Sequence, residues 1–237
     1  MVVSKNNLSE QVTNDLGKAI ISNHYKSGAN LPTEAQLCEQ YSVSRTAIRE
    51  AVKMLSAKGL ISSKPRQGIR VEPAENWNLY DTNVLDWLLH SSPSLEVLEE
   101  FLQVRMAIEP HAAALAAKNG DKAKIQKIKD ALDVMEKAAR IDDASMFDSD
   151  LAFHSSILQA SGNRFIAKLK EFISTALSVS IQHTTPAKGD RMSIVEEHSK
   201  VYHAIANGEA ERARNLTIYM IDEAMVFLNQ EKTKANR

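Results

Sequence analysis

Asp150 and His154 stand four residues apart in "DLAFHSS", and His198 follows in "EEHSK". On a helix, residues at i and i+4 share one face, so a carboxylate and an imidazole would sit side by side. A second imidazole converging on them from another helix of a bundle completes a donor set able to hold a divalent cation. A carboxylate–imidazole hydrogen bond uses the same residues, and spacing alone leaves both readings open. Arg45 and Arg49 pose a different question. They lie one turn apart in "SRTAIREAVKML", where Ile48, Val52 and Leu55 recur at i, i+4 and i+7 as the buried face. Outward guanidiniums there can pair with neighbouring carboxylates, or grip phosphate and the edge of a guanine. A third arginine, Arg105, sits in the largely apolar "VLEEFLQVRMAIEPHAAALAA". A half-buried arginine requires an anion. Glu109, one turn on, is one candidate and a bound carboxylate is the other.

The elements that must position these residues read as helices, with one exception. Leu8–Asn23 has apolar residues at Leu8, Val12, Leu16, Ile20 and Ile21, a helical period. "KSGANLP" breaks the chain, and Thr33 can cap a helix over Glu34–Tyr41. A turn at Ser42–Val43 leads to a third helix that opens at Ser44 and stops at Gly59. Leu60–Ser62 and Ile69–Val71 then alternate like strands around the turn "KPRQG". Helix, helix, turn, helix and hairpin make a winged helix-turn-helix.

Residues 73–93 form a linker with a short helix, capped by Asp81 or Thr82 and running to Leu89, and both Trp77 and Trp87 serve to anchor it. From Leu95 the pattern predicts helices alone, over about 95–118, 121–139, 143–161, 164–183, 192–207 and 209–230. Pro110 should kink the first, and "QEKTKANR" should fray. The expected fold class is mainly α, a winged helix-turn-helix over 8–72 followed by an all-helical bundle over 94–230.

Composition sets the frame. The 237 residues are 43% hydrophobic and 25% charged, and glycine and proline are scarce, the profile of a helical globular chain long enough for two domains. No apolar run reaches the about 18–20 residues of a membrane span, the first residues lack a hydrophobic signal core, and a lone Cys38 excludes an internal disulfide framework. A cytoplasmic location is expected. The net charge of −1 is unevenly divided: residues 1–71 hold ten Lys/Arg against five Asp/Glu, and the remainder 19 against 25. A basic first part fits a polyanionic partner.

In a helix-turn-helix the second helix of the motif enters the major groove. That leaves Arg45, Thr46 and Arg49 facing outward, with the Ser44 hydroxyl and the helix N-terminus suited to phosphate. Each base contact is worth about 1–3 kcal/mol of discrimination. Arg66, Gln67 and Gly68 in the wing turn are placed for the minor groove.

"LPTEAQLCEQYSVSRTAIREAVKMLSAKGLI" with "RQGIRV" resembles the N-terminal domain of the GntR family of bacterial transcription regulators. Ala35 departs from the pattern, which usually has an arginine there that touches phosphate. Losing one phosphate contact flattens the salt dependence by about one unit of slope. "RMAIEPHAAALAA", "DLAFHSSILQASGN" and "EEHSKVYHAIANGEAERA" resemble the FCD effector domain of the FadR branch of that family, and together the two likenesses cover about residues 8–230. The resemblance implies a ligand-responsive DNA-binding regulator, a homodimer on a near-palindromic operator, and in many members a divalent metal such as Zn, Mn or Ni. It implies one Asp and three His as ligands. Asp150, His154 and His198 match three of these, and Met220 takes the place of the fourth. The implied site is either a metal held by three residues with open positions or a metal-free polar pocket. The resemblance also places Arg105 against an effector carboxylate, with Asn163, His183 and Thr184 lining the pocket, although Asn163 can instead cap a helix. "ENWNLYDTNVLDWLL" together with Met220 is similar to the galactonate-operon repressor subgroup, which implies a sugar-acid effector, an aldonate or hexuronate. Two alternatives stand beside a repressor of this kind: a metal-dependent helical-bundle enzyme acting on a small carboxylate, and a repressor that senses the metal itself. A winged helix gives no advantage to an enzyme.

Overall fold

Each helix of the N-terminal part is built around one buried stripe. In the computed structural model, which describes residues 5–64, 66–91, 95–178 and 190–235, α1 (Lys5–Ile21) turns Val12, Leu16, Ile20 and Ile21 inward. α2 (Glu34–Tyr41) starts at a capping box: the Thr33 hydroxyl accepts from the Gln36 N–H at 3.3 Å, and the Gln36 side chain accepts from the Thr33 N–H at 2.9 Å. It ends at Ser42, in left-handed backbone with φ 53°. This residue makes the turn of the helix-turn-helix. α3 (Arg45–Ala57) follows, its N-cap Ser44 accepting from the Ala47 N–H at 3.3 Å and its Ala47, Ile48, Ala51, Val52 and Leu55 buried. The wing is β1 (Ile61–Lys64) against β2 (Gly68–Val71), antiparallel with Lys64 opposite Gly68. Arg66 at φ 65° and Gly68 at φ 79° close its turn.

The short helix that the sequence assigns to a linker is part of this core. A 3-10 turn (Ala74–Asn76) leads to α4 (Thr82–Ser91), whose first N–H groups, of Asn83 and Val84, donate to Asp81. Val84 and Trp87 join Leu16, Ile48 and Leu55 in one apolar cluster. Gly17 on α1 makes room for the indole, since a Cβ there would stand 2.3 Å from the Trp87 ring. Trp77 packs on the same cluster and its indole N–H donates to the Glu72 carbonyl at 3.2 Å. Lys58, the C-cap of α3, reaches both Asp81 carboxylate oxygens at 2.7 Å. The contact pattern accordingly divides the chain into two compact units, Met1–Pro93 and Ser94–Arg237.

Every regular element among the described residues of the second unit is a helix. It contains α5 (Leu95–Asn119), α6 (Lys122–Ile141), α7 (Ser145–Ala160), the short α8 (Arg164–Lys168), α9 (described over 170–178), α10 (Arg191–Ala206) and α11 (Ala210–Ala235). α5 packs on α11, α7 and α10, and α6 packs on α7 and α10. α5 continues as α-helix through Pro110, whose ring removes the N–H that would bond Met106. Beyond Pro110, two details differ from the sequence reading. The helix expected over 164–183 is broken at Leu169, which caps α8. α11 runs on to Ala235, with Leu228 buried and Lys232 paired to Glu99 of α5, so the tail expected to fray is tied to the bundle.

Candidate DNA-reading surface and buried metal centre

The N-terminal half of α3 is an open polar face. Ser44, Arg45, Thr46 and Arg49 are exposed, directly behind the buried Ala47 and Ile48. Arg49 Nε donates to the Glu34 carboxylate at 3.1 Å. This exposed pair links the two helices of the motif and is worth little to stability; it holds the guanidinium extended across the face. Arg66, Gln67 and Gly68 are exposed at the wing tip. Arg70 is committed elsewhere, its Nε donating to the Gly28 carbonyl at 2.9 Å.

In the second unit Asp150, His154 and His198 come together, and one donor atom from each lies within 4.8 Å of the others. All three are buried, at 8%, 3% and 3% exposure. The i, i+4 spacing on α7 brings Asp150 Oδ1 to 3.2 Å from His154 Nε2, and α10 brings His198 Nε2 to 3.1 Å from the same oxygen. The other ring nitrogens are occupied. His198 Nδ1 lies 2.7 Å from the Ile194 carbonyl, which can only accept, and His154 Nδ1 lies 2.8 Å from Glu109 Oε2. Four ring nitrogens thus face three acceptor oxygens, Asp150 Oδ1 being shared, while the two rings, when neutral, carry two protons. If the shortest contacts take those protons, two Nε2 lone pairs and a carboxylate oxygen converge. Two extra protons or one divalent cation satisfies that arrangement, so the residues present fit a metal. The set is two imidazoles and one carboxylate.

The charges around it are tightly balanced. Arg105 on α5, 4% exposed, donates through Nε to Glu109 Oε1 at 2.6 Å and through Nη2 to Oε2 at 3.2 Å. Nη2 also lies 3.5 and 3.4 Å from the two His154 nitrogens, a guanidinium resting against the ring. Burial favours the neutral form of Glu109, yet the charges of Arg105 and His154 overcome it and hold the carboxyl down to about 2. Burial likewise works against ionised Asp150, and His198 and His154 together depress its pKa far below the usual carboxylate range. His154 is pushed up from 6.5: burial opposes its charging, but Glu109 and the hydrogen bonds to Asp150 and Glu109 prevail.

Residues 8–71 match the family described as bacterial regulatory proteins, gntR family, and residues 100–223 match the FCD domain. The chain belongs to the GntR family, with an FCD domain as its second unit. It is 33% identical to the HTH-type transcriptional regulator YieP of Escherichia coli K12 over 90% of this chain and 91% of that protein. It is 31% identical to the galactonate operon transcriptional repressor of the same strain, over 91% and 94%. A solved GntR protein from Streptococcus agalactiae shares the fold, with a TM-score of 0.53 at 22% identity over 92% of this chain and 99% of that one. The protein is therefore a DNA-binding transcription regulator and not an enzyme, and none of its described helices is long and apolar enough to cross a membrane.

Among the remaining residues singled out in the sequence, Met220 is buried on α11. Asn163 is exposed and caps α8, accepting from the Phe165 and Ile166 N–H groups at 2.9 and 3.3 Å; the structure does not bring it into the buried cluster. His183 and Thr184 lie outside the described residues. In the sequence Glu109 reads only as a partner for Arg105. Its contact with His154 joins residues far apart in the chain, and no local pattern signals it.

Proposed function

We propose that this regulator is a repressor of a sugar-acid catabolic operon, and that an aldonate or hexuronate entering the FCD domain alters its affinity for the operator. The observation that carries the reading is the buried cluster of Arg105, Glu109, Asp150, His154 and His198. Apolar packing would be as stable without it, and its chemistry suits a hydroxylated carboxylate. The effector's carboxylate competes with Glu109 for the Arg105 fork. Asp150, His154 and His198 would hold a Zn, Mn or Ni ion, with Met220 at the place of a fourth ligand, and such an ion would take the effector's oxygens. When bound, that ion supplies Lewis acidity and charge; the chain's own residues select and orient. The likeness to the galactonate operon repressor over most of both chains supports the sugar-acid class.

DNA is read by Arg45, Thr46 and Arg49 at base edges in the major groove, with Ser44 and the start of α3 on phosphate and Arg66, Gln67 and Gly68 of the wing at the minor groove. A homodimer places two such heads on a near-palindrome. The effector favours one state over the other by a coupling of about 1–3 kcal/mol.

Thermal denaturation of the full chain with zinc or manganese and a panel of sugar acids tests the effector site. A ligand at a hundred times its dissociation constant adds about 2.7 kcal/mol, which raises the midpoint by about 5–10 °C for a chain of this size. We expect one aldonate or hexuronate to do so in the wild type and to lose the effect in Arg105→Ala. A panel without effect on the wild type contradicts the sugar-acid assignment, and a mutant that responds normally removes Arg105 from the site.

A further inference from the structure

We infer that Glu109 is the positioning residue of the buried triad: it accepts the Nδ1–H of His154 and so fixes the ring with its Nε2 lone pair aimed at Asp150 and His198. The inference rests on the reading of that triad as a divalent-cation site. Asp150 is held by two rings, but each ring needs its own anchor to present Nε2. For His198 the anchor is its own helix, the Ile194 carbonyl one turn back at 2.7 Å. Among the described residues His154 Nδ1 has no such backbone bond, and instead it meets Glu109 Oε2 at 2.8 Å, across from α5. Left alone, a neutral imidazole can place its proton on Nε2, where Asp150 Oδ1 at 3.2 Å would accept it; that tautomer has no lone pair for a cation. Glu109, shorter and charged, decides against it. Glu109 is itself fixed at both oxygens by Arg105, at 2.6 and 3.2 Å. The chain Arg105–Glu109–His154 is thus a carboxylate–histidine relay of the type that orients metal ligands from behind, with the arginine balancing the carboxylate's charge so that the triad keeps the full attraction of Asp150.

Removing Glu109 alone leaves Arg105 buried without its partner, which is costly. The test therefore uses Glu109→Gln and the charge-balanced double substitution Arg105→Gln with Glu109→Gln, each checked for folding by its melting curve without metal. Two quantities are measured on the full chain. Cobalt(II) affinity is obtained by competition with a coloured chelator, together with the ligand-field spectrum. The tautomer of His154 is read without metal at pH 8.5 from long-range 1H–15N correlations on histidine-labelled protein, with His154→Gln supplying the assignment. The expected result is a wild-type His154 protonated at Nδ1, with an Nε2–H population appearing in the double variant. Cobalt binding should weaken by about ten- to a hundredfold in the double variant, and less in Glu109→Gln, whose amide oxygen still accepts. A His154 ring protonated at Nε2 in the wild type overturns the inference, as does a folded double variant with unchanged tautomer and unchanged cobalt affinity. A wild type that takes up no cobalt but shows the Nδ1–H form overturns the metal reading of the triad and leaves the Glu109 anchor standing.

Discussion

At the scale of residues, this protein turns on which atom of each side chain is already engaged. Two ring nitrogens are tied to Glu109 and to a backbone carbonyl, which aims the other two at one carboxylate. If position 220 takes the fourth place that the resemblance implies, Met220→His should tighten zinc or manganese binding by at least tenfold; unchanged affinity in a competition titration would show that position 220 does not reach the ion. The pH dependence has a definite sign. The pKa of His154 is raised above 6.5 in the metal-free fold, so its proton contributes stability that is complete below 6.5 and is lost as pH rises through the raised value. A metal needs the neutral ring. The gain in melting temperature on adding zinc should therefore be small at pH 6 and grow toward pH 8, and a gain independent of pH would contradict ligation by these rings. On the reading head, Arg45→Ala and Arg49→Ala should each weaken operator binding by about 1–3 kcal/mol and relax specificity, seen in fluorescence-anisotropy titrations against operator and scrambled DNA. The Asp150–His154 pair and the outward arginines are legible in the sequence because helical spacing is local. The convergence of His198 follows from the family resemblance and not from local spacing, and the second contact of Glu109 is not legible at all, because α5, α7 and α10 meet only after the bundle has packed.

Elements show the same division. The order of α1 to α3 and the wing could be read from Thr33, Ser44, Gly59 and the alternation after Leu60, each a signal carried by one or a few adjacent residues. The destination of α4 could not. Its sequence marks a helix, but its place in the core of the first unit depends on the distant Gly17 being small enough to accept Trp87. Gly17→Ala should therefore destabilise the first unit by about 1–3 kcal/mol through overpacking, although alanine favours helix, and Trp87→Ala by about 3–5 kcal/mol through the cavity it leaves. Urea denaturation followed by circular dichroism measures both; a neutral or stabilising Gly17→Ala would show that the indole moves aside without cost. Gly59 carries a stricter constraint, since at φ +76° its added Cβ would lie 2.2 Å from the Asn76 carbonyl. The turn after α3 and the 3-10 turn before α4 close on each other there. In the second unit the break at Leu169 and the extension of α11 to Ala235 escape a periodicity reading. The first reflects the cap geometry of a five-residue helix, and the second depends on the distant Glu99.

At the scale of the whole molecule, a basic DNA-reading unit and an acidic helical unit with a charged, buried centre share one chain. Ala35 stands where relatives of the resembled pattern carry a phosphate-contacting arginine, so Ala35→Arg should steepen the salt dependence of operator binding by about 0.9 in log–log slope for each DNA-reading head. A slope that stays the same would place residue 35 off the phosphate backbone. The central proposal is that the contents of the buried cluster change the protein's hold on DNA. The most direct measurement is a mobility shift on the DNA upstream of its own gene, in the presence of zinc or manganese, titrated with aldonates and hexuronates. The expected result is a retarded band whose intensity one of these sugar acids changes at least fivefold, and which Arg105→Ala retains without responding. A band indifferent to every sugar acid in the panel would contradict the effector assignment, and the absence of any band on operator-containing DNA would contradict the reading of α3 and the wing.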